Sequence, residues 1–323
     1  MNDPAARLAR RFKDGTVMNI VQQMFGDQTE TFLGTCWPKH AYVADGEMSR
    51  FSALAALDEF QDIRKLFSAL PGSVDLLFPG GKRITVAKSA DALAPYNDGA
   101  AMVYIKDLEA IPTISKACDE LASVLDIPRH YVSCEAFAAN YGVEVATHFD
   151  HETNFMIQIK GEKTWAFAEN TALPDPIYPF FPNNPNRFYT DGIQPYTGAA
   201  LPRVMPENKQ VRLVKPGTTT FMPRGYWHST VAHEESFSIG FVINPPTLAD
   251  LITYAVLEKL HGIEALRAHP LDTLSVQART SILESIQQGL DEAGRLSSQL
   301  TPEQLLQRYK QSRKGNVRTL SAL

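Results

Sequence analysis

The sequence predicts a mainly β fold with helices, whose core is an antiparallel barrel or jelly roll of the cupin type. Between residues 131 and 243 the chain carries short runs rich in β-branched and aromatic residues, and Gly, Pro or Asn separates them. No helical pattern intervenes between these runs, which is typical of barrels and jelly rolls. The predicted strands are 131–138, 155–159, 164–168, 211–214, 219–222 and 237–243.

Helical patterns precede this region. Residues 1–30 are polar and predicted to be partly helical, and clearer helices are expected at 52–70 and 111–125. The first of these two ends at Pro71-Gly72, and Pro112 stands near the start of the second, where proline is well tolerated.

After residue 246 the helical pattern returns. Thr247 can cap a first helix, 275–290 places apolar residues on one face, and Thr301-Pro-Glu-Gln is a capping-box pattern. The apolar faces require burial, either on the barrel or on a second copy of the chain. We therefore divide the chain into an N-terminal helical segment (1–30), a barrel domain (31–246) and a C-terminal helical region that is a candidate for dimerisation (247–323).

Composition and charge limit the classes of function. The 323 residues carry a formal net charge of −5, which gives no electrostatic reason to expect nucleic acid or an acidic membrane as a partner. No apolar run approaches the roughly 18–20 residues of a membrane span, and the first residues lack the apolar core of a signal peptide. The three cysteines show no CxxC spacing, as expected of reduced thiols. We expect a cytoplasmic protein without nucleic-acid or membrane partners.

A histidine and a carboxylate stand two residues apart in His148-Phe-Asp150, just before an apolar run. Alternate residues of a strand point the same way, and charged groups in apolar surroundings are costly unless they are paired or bind a metal. His228, which follows the turns of PGTTTFMPRGYW, is the candidate third ligand. Two histidines and one carboxylate are the ligand set of non-haem Fe(II) oxygenases, which leaves open positions for a co-substrate and O₂. An HxD pair alone is common by chance, so the prediction depends on the conjunction of the two motifs.

Lys163 is predicted to bind the co-substrate. It lies fifteen residues after His148, on a strand that enters the same barrel, where it can reach the distal carboxylate of a 2-oxo acid that chelates the metal. A buried ammonium is tolerable when it is paired with a carboxylate. Asn154, near the start of the intervening strand, is a candidate polar neighbour of the same ligand.

The stretch 173–208 is dense in Pro, Asn and aromatic residues and has no clear period. A loop of this length in a compact domain is usually functional, and its aromatic residues argue against simple disorder. We expect this stretch to form an ordered lid or a substrate-facing loop. The alternative is that it packs over the barrel without a functional role.

The two motifs resemble those of the JmjC-type oxygenases. The first is H-F-D-x₃-N-F-x₂-Q-I-K-G-x-K, which begins at His148, and the second is Pro-Arg-Gly-Tyr-Trp followed by His228. Within that superfamily the sequence is similar to the hypoxia-factor asparaginyl hydroxylase and to the ribosomal oxygenases, over residues 30–246. The helical region after the barrel resembles the dimerisation helices of the ribosomal oxygenases.

The resemblance implies a double-stranded β-helix that holds Fe(II) through His148, Asp150 and His228. It also implies that Lys163 holds the distal carboxylate of 2-oxoglutarate, the co-substrate used together with O₂.

Two positions depart from the family pattern. Val145 stands where the asparaginyl hydroxylase has a Thr, and Gly240 stands where an Asn or Ser often occurs. These departures concern the hydroxyl partner of the co-substrate and leave the metal ligands unaffected.

The expected activity is hydroxylation of an unactivated C–H bond by a dioxygenase dependent on Fe(II) and 2-oxoglutarate. A protein or peptide side chain is the favoured substrate class. A small metabolite or a peptide natural product is the main alternative, and a non-catalytic metal-binding cupin is a further one. Demethylation uses the same chemistry, but the chain shows no chromatin-reading module and no basic surface signal that would favour it.

Overall fold

The computed structural model describes residues 18–183, 201–271 and 275–312. The chain forms two compact units, of which the first ends at Asn244 and the second begins at Pro245. In chain order, strands β1 to β12 span Tyr42–Ala44, Val74–Leu77, Arg83–Val86, Met102–Ile105, Val132–Ala139, Glu144–His148, Thr153–Lys160, Lys163–Ala168, Gln210–Val214, Thr219–Met222, Trp227–Ala232 and Ser236–Ile243. The α-helices of four residues or more, α1 to α8, span Ile20–Phe25, Ser52–Ala55, Ile63–Ala69, Leu93–Asn97, Pro112–Leu125, Leu248–Leu260, Val276–Gln299 and Pro302–Gln311.

The first unit is built on two antiparallel sheets. The larger sheet has the strand order β1-β10-β7-β12-β5-β4-β2-β3, and the smaller has the order β6-β11-β8-β9. Most neighbours in these sheets are distant in sequence, as when β12 pairs with both β5 and β7, which is the connectivity of a jelly roll rather than of a meander. The predicted mainly β, cupin-like fold with helices is therefore confirmed.

Side chains alternate across the larger sheet. On β7, Phe155 and Ile157 belong to the main apolar core, which also contains residues of the N-terminal helices. Asn154, Met156 and Gln158 lie on the other face of the same strand and are absent from that core. This alternation brings polar side chains into the barrel interior while the outer face stays apolar.

An aromatic cluster joins the N-terminal helices to the outer face of the larger sheet. Phe25 of α1 stacks on Phe32 with ring centroids 3.8 Å apart, and Phe32 meets Phe221 of β10 edge-on at 5.0 Å. All three rings are fully buried, and burying one such side chain contributes about 1.5–3 kcal/mol. Since the helices close this face, polar chemistry is confined to the interior face.

The single helix expected at 52–70 is wrong in its extent. The structure has α2, a 3₁₀ turn at Asp58–Phe60, and then α3. Asp62 accepts a hydrogen bond from the backbone N–H of Arg64 at 2.7 Å, so it caps a new helix inside the predicted one. Asp competes in this way with helix continuation because its side chain bonds the local backbone.

Strands β2, β3 and β4 were not predicted from the sequence. Each has four residues, and all four residues of β3 are exposed or half-buried, so no alternating pattern marks it. Asp75, in the middle of the buried strand β2, is hydrogen-bonded by Arg83 and Thr85 of β3. Because Asp75 is charged, it interrupts the apolar pattern from which a buried strand would be predicted.

The second unit consists of helices α6, α7 and α8 and a 3₁₀ turn among its described residues. Thr247 and Thr301 cap α6 and α8 through capping boxes with Asp250 and Gln304, which confirms the capping expected of both threonines. Along residues 18–183, 201–271 and 275–312, no helix combines the length and the apolar character needed to cross a membrane.

The turn that joins β7 to β8 depends on Gly161, whose φ is +67°. A Cβ atom there would lie 2.1 Å from the carbonyl oxygen of Glu235. We predict that Gly161→Ala lowers the free energy of unfolding by at least about 1–3 kcal/mol, the usual cost of a residue held in a disfavoured backbone conformation, as measured by urea unfolding. Gly72→Ala is the matched control because nothing lies within 4 Å of an added Cβ atom there. Equal losses in the two variants would contradict the prediction.

Candidate metal centre

Strands β6 and β11 of the smaller sheet bring the three predicted ligands together. His148 is the last residue of β6 and lies directly opposite His228 of β11. Oδ2 of Asp150 lies 3.7 Å from Nε2 of His148 and 3.4 Å from Nε2 of His228. One ligand atom from each residue lies within 4.8 Å of the other two, a spacing that a single metal ion can bridge.

Backbone carbonyl groups orient both imidazoles. Nδ1 of His148 lies 2.7 Å from the oxygen of Ala146, and Nδ1 of His228 lies 3.0 Å from the oxygen of Tyr226. A carbonyl oxygen only accepts hydrogen bonds, so each Nδ1 carries a proton, and in the neutral imidazole the lone pair lies on Nε2, the atom that faces Asp150. Metal-binding histidines usually make this second contact, because it sets the tautomer and the ring orientation.

The charge states of the three groups also suit a metal ion. Burial, with the neighbouring His228 acting in the same direction, lowers the pKa of His148 to about 4. Burial alone would raise the pKa of Asp150, but the two adjacent imidazoles outweigh it and hold this pKa below its usual value. Burial lowers the pKa of His228, whereas the Asp150 carboxylate raises it by more. At neutral pH the site offers an ionised carboxylate and a neutral His148, the forms that metal ions bind.

Aromatic rings lie against both histidines. Phe181 stacks on His148 with ring centroids 4.5 Å apart and planes 8° from parallel. Trp165 stacks on His228 at 5.7 Å and 19°. Such close packing restricts the rotation of each imidazole, so the Nε2 atoms stay directed at Asp150.

The first part of the predicted loop 173–208 supplies one of these rings. An isolated antiparallel bridge joins Phe180 to Phe149, the residue between His148 and Asp150, and it places Phe181 beside the site. Residues 184–200, the middle of the predicted loop, lie outside the described residues.

Lys163, the first residue of β8, points into the barrel and is only 3% exposed. Its Nζ atom donates a hydrogen bond to Oγ of Ser238 on β12 at 3.1 Å. None of the ion pairs within the described ranges includes it, and burial lowers its pKa to about 8. A buried ammonium with a neutral partner is stabilised by an anionic ligand, so this side chain fits the carboxylate of a bound co-substrate.

Asn154 also lies inside the barrel, on β7, and is 9% exposed. Its Oδ1 atom has no hydrogen-bond partner in the described part of the chain, an arrangement that is costly without a ligand or water. Sequence reasoning missed Ser238 as a neighbour of Lys163. Its position between Phe237 and Ile239, both members of the outer apolar core, was a signal that it faces inward.

The two departures from the family pattern lie on strands β6 and β12, where Val145 is half-buried and Gly240 is buried. Val145 stands opposite Thr230 of β11, so a buried hydroxyl group is present on the adjoining strand instead. At Gly240 an added Cβ atom would lie 2.5 Å from Sδ of Met156. The methionine side chain therefore occupies the space that a larger residue would need.

Two carboxyl groups that interact with this site were not predicted. Burial, followed by repulsion from Glu152, raises the pKa of Glu135 to about 8. Burial, followed by repulsion from Asp150, raises the pKa of Glu152 to about 7. Tyr104 donates a hydrogen bond to Glu135, and Asn244 donates one to Glu152 at 3.3 Å. Near neutral pH both acids are substantially protonated, and no sequence motif marks either of them.

Two histidines and one carboxylate inside an antiparallel jelly roll define the class of non-haem Fe(II) oxygenases, in which three protein ligands leave the other metal positions open. Comparison with known protein families points to one group within this class of oxygenases. The model of the JmjC domain matches residues 106–251, which include the triad, Lys163 and Asn154. Residues 106–251 therefore resemble a JmjC domain, and the fold and the triad within them fit an oxygenase that uses Fe(II) and 2-oxoglutarate.

Individual relatives are more distant. Uncharacterized protein YxbC of Bacillus subtilis (strain 168) is 28% identical over 289 residues, which cover 85% of this chain and 86% of that protein. The X-ray structure of ycfD from E. coli is 16% identical, with a TM-score of 0.52 and coverage of 86% of this chain and 69% of that chain. A second structure, of YcfD described as a ribosomal oxygenase from Escherichia coli in complex with cobalt and 2-oxoglutarate, is 14% identical, with a TM-score of 0.48 and coverage of 88% and 71%. At such identities the first of these structures supports the fold alone.

We predict that Mn(II) or Co(II) raises the melting temperature of the wild-type protein and that His148→Ala and His228→Ala abolish this shift. An ion present at 100 times its dissociation constant stabilises a folded protein by about 2.7 kcal/mol, which differential scanning fluorimetry detects. His233→Ala is the control, because His233 bonds Thr164 and lies outside the triad. A full metal-induced shift in His148→Ala would rule out this ligand set.

Proposed function

We propose that the protein hydroxylates an unactivated C–H bond of a protein or peptide side chain, with iron held by His148, Asp150 and His228. The observation that carries the proposal is the triad, in which the Nε2 atoms of two buried histidines face one half-buried, ionised carboxylate. This donor set fits a divalent first-row metal ion.

The polar residues inside the barrel form two separate binding positions, one at each end of the interior. The triad holds the metal at one end, and Lys163 offers its ammonium group to the distal carboxylate of 2-oxoglutarate at the other. Ser238 orients the lysine through the hydrogen bond to its Nζ atom, and the free acceptor of Asn154 fits a polar group or water beside the bound co-substrate. When bound, iron with 2-oxoglutarate and O₂ supplies the oxidising power, and 2-oxoglutarate is converted to succinate and CO₂ as the C–H bond becomes C–OH.

The protein contributes position and exclusion of water. The rings of Phe181 and Trp165 lie against the two ligand histidines, so they limit solvent access to the imidazoles. A reacting C–H bond must be held close to the oxidising centre while other bonds are kept away. A protein or peptide substrate is favoured by the resemblance of the motifs to those of protein-modifying JmjC oxygenases.

Release of succinate from 2-oxoglutarate tests the proposal. With Fe(II)-reconstituted protein, ascorbate and peptide fractions of a cell extract, we expect succinate formation that requires iron, is lost in His148→Ala and Asp150→Ala, and rises with a peptide fraction. Lys163→Ala should chiefly raise the KM for 2-oxoglutarate, by about 100-fold if the charge-assisted contact contributes about 3 kcal/mol. Succinate formation that persists in His148→Ala would exclude the proposed centre. Stimulation by small molecules alone would reassign the substrate class.

We also propose that the second unit mediates homodimerisation. Leu283, Ile286 and Leu290 lie three and four residues apart on one face of α7 and are exposed, as are Leu248 and Ile252 on α6. Exposed apolar faces of this kind usually mark an interaction surface, and a two-fold pair buries the same face of both copies.

We expect a dimer by light scattering at micromolar concentration, and a monomer for Ile286→Glu because the substitution places a charge in the apolar face. Gln288→Glu is the control, since Gln288 is an exposed polar residue of the same helix. A monomeric wild-type protein would contradict this proposal.

We also propose that the protein is located in the cytoplasm. Cys118 and Cys134 are buried free thiols, and Cys36 is also unpaired with another cysteine, which suits a reducing compartment.

A further inference from the structure

Trp165 lies midway along a row of inward-facing side chains on β8. Lys163, Trp165 and Phe167 are all buried, whereas Thr164 and Ala166 between them are half-buried. Phe167 stands opposite the metal ligand His228 on β11. The row therefore runs from the metal centre at one end to the buried ammonium at the other, with the indole between them.

The indole belongs to an apolar cluster that crosses the barrel. Its partners are Met156 and Met222 of the larger sheet and Phe167 and Val214 of the smaller sheet. The indole is 7% exposed. The interior thus has two polar ends separated by an apolar belt.

The spacing of the two ends limits what fits between them. Phe167, at the level of His228, lies four residue steps from Lys163 along the strand, which corresponds to roughly 13 Å at about 3.3 Å per residue. The side chains and the metal shorten the gap that a ligand spans. A diacid bound at both ends must place its middle carbons in the belt beside the indole.

We propose that Trp165 sets the length of the co-substrate, admitting the five-carbon 2-oxo diacid and excluding the six-carbon homologue. This inference rests on the proposed function. The indole is held by its stacking on His228, so it cannot retract to admit an extra methylene without disturbing a metal ligand. Trp165 is therefore a specificity-determining residue that acts through packing and takes no part in proton transfer.

A comparison of the binding of two 2-oxo acids tests the proposal without turnover. Protein loaded with Mn(II) is titrated calorimetrically with 2-oxoglutarate and with 2-oxoadipate, which is one methylene longer. The wild-type protein is expected to bind 2-oxoglutarate at least about tenfold more tightly, the usual discrimination for one methylene in an apolar pocket. In Trp165→Phe the ratio of the two dissociation constants is expected to fall toward one, because the smaller ring leaves room for the extra methylene.

Trp37→Phe is the matched control, because Trp37 packs against Phe155 and Phe221 in the outer core. It should keep the wild-type ratio. A general loosening of the fold would weaken both ligands by the same factor, so the ratio separates selection of length from a structural role. Trp165→Tyr gives a second variant with a bulkier ring than Phe. Its ratio of dissociation constants should lie between those of the wild-type protein and Trp165→Phe.

The outcomes separate this proposal from the proposed function. If wild-type protein binds 2-oxoglutarate but does not discriminate against 2-oxoadipate, the length selection is overturned without any variant. An unchanged ratio in Trp165→Phe overturns it as well, while leaving the oxygenase assignment intact. If neither acid binds the Mn(II)-loaded wild-type protein, the role of Lys163 fails, and the length selection fails with it.

Discussion

The antiparallel pairing of His148 with His228 is the constraint on which the rest of the site depends. Since side chains alternate along a strand, a slip of one residue between β6 and β11 would turn one imidazole out of the barrel. The register shifts between His228 and Thr230, so the strands keep the histidine pair aligned and absorb the extra residue beyond it. The Nδ1 partners are backbone carbonyls two residues before each histidine. Strand geometry thus sets both the position and the tautomer of the two candidate ligands.

The same alternation places the residues that stabilise the fold on the outer face and the residues of the candidate site on the inner face. The outer face of the larger sheet is apolar and joins the aromatic core around Phe25 and Phe32, which contributes to the stability of the fold. The inner face carries Asn154, whose amide oxygen lacks a partner among the described residues, and the buried Lys163. Groups of this kind reduce the stability of a fold and are typical of functional sites. The strongly packed outer face allows the inner face to hold them.

The sequence predicted the fold class and the convergence of the triad because both follow from local patterns. His148 and Asp150 are close in sequence, and turn residues that bring the strand back precede His228. The contact between Lys163 and Ser238 joins β8 of one sheet to β12 of the other, so it depends on tertiary packing that no local pattern shows. The same holds for the interaction of Glu135 with Glu152. Strands β2 to β4 were missed because they are short and the apolar period is interrupted at Asp75.

The charges of the interior groups determine which ligands the barrel can hold. Asp150 supplies an ionised carboxylate between two imidazoles, and Lys163 supplies an ammonium group whose pKa is lowered by burial. A divalent metal ion adds two positive charges and a 2-oxo diacid adds two negative ones, so the charges of these four groups sum to zero. Buried charges are tolerated when they are paired in this way. A metal ion without the diacid leaves an excess of positive charge, and the diacid without the metal leaves an excess of negative charge. Electrostatics therefore favour the joint binding of metal and diacid in this barrel over the binding of either alone.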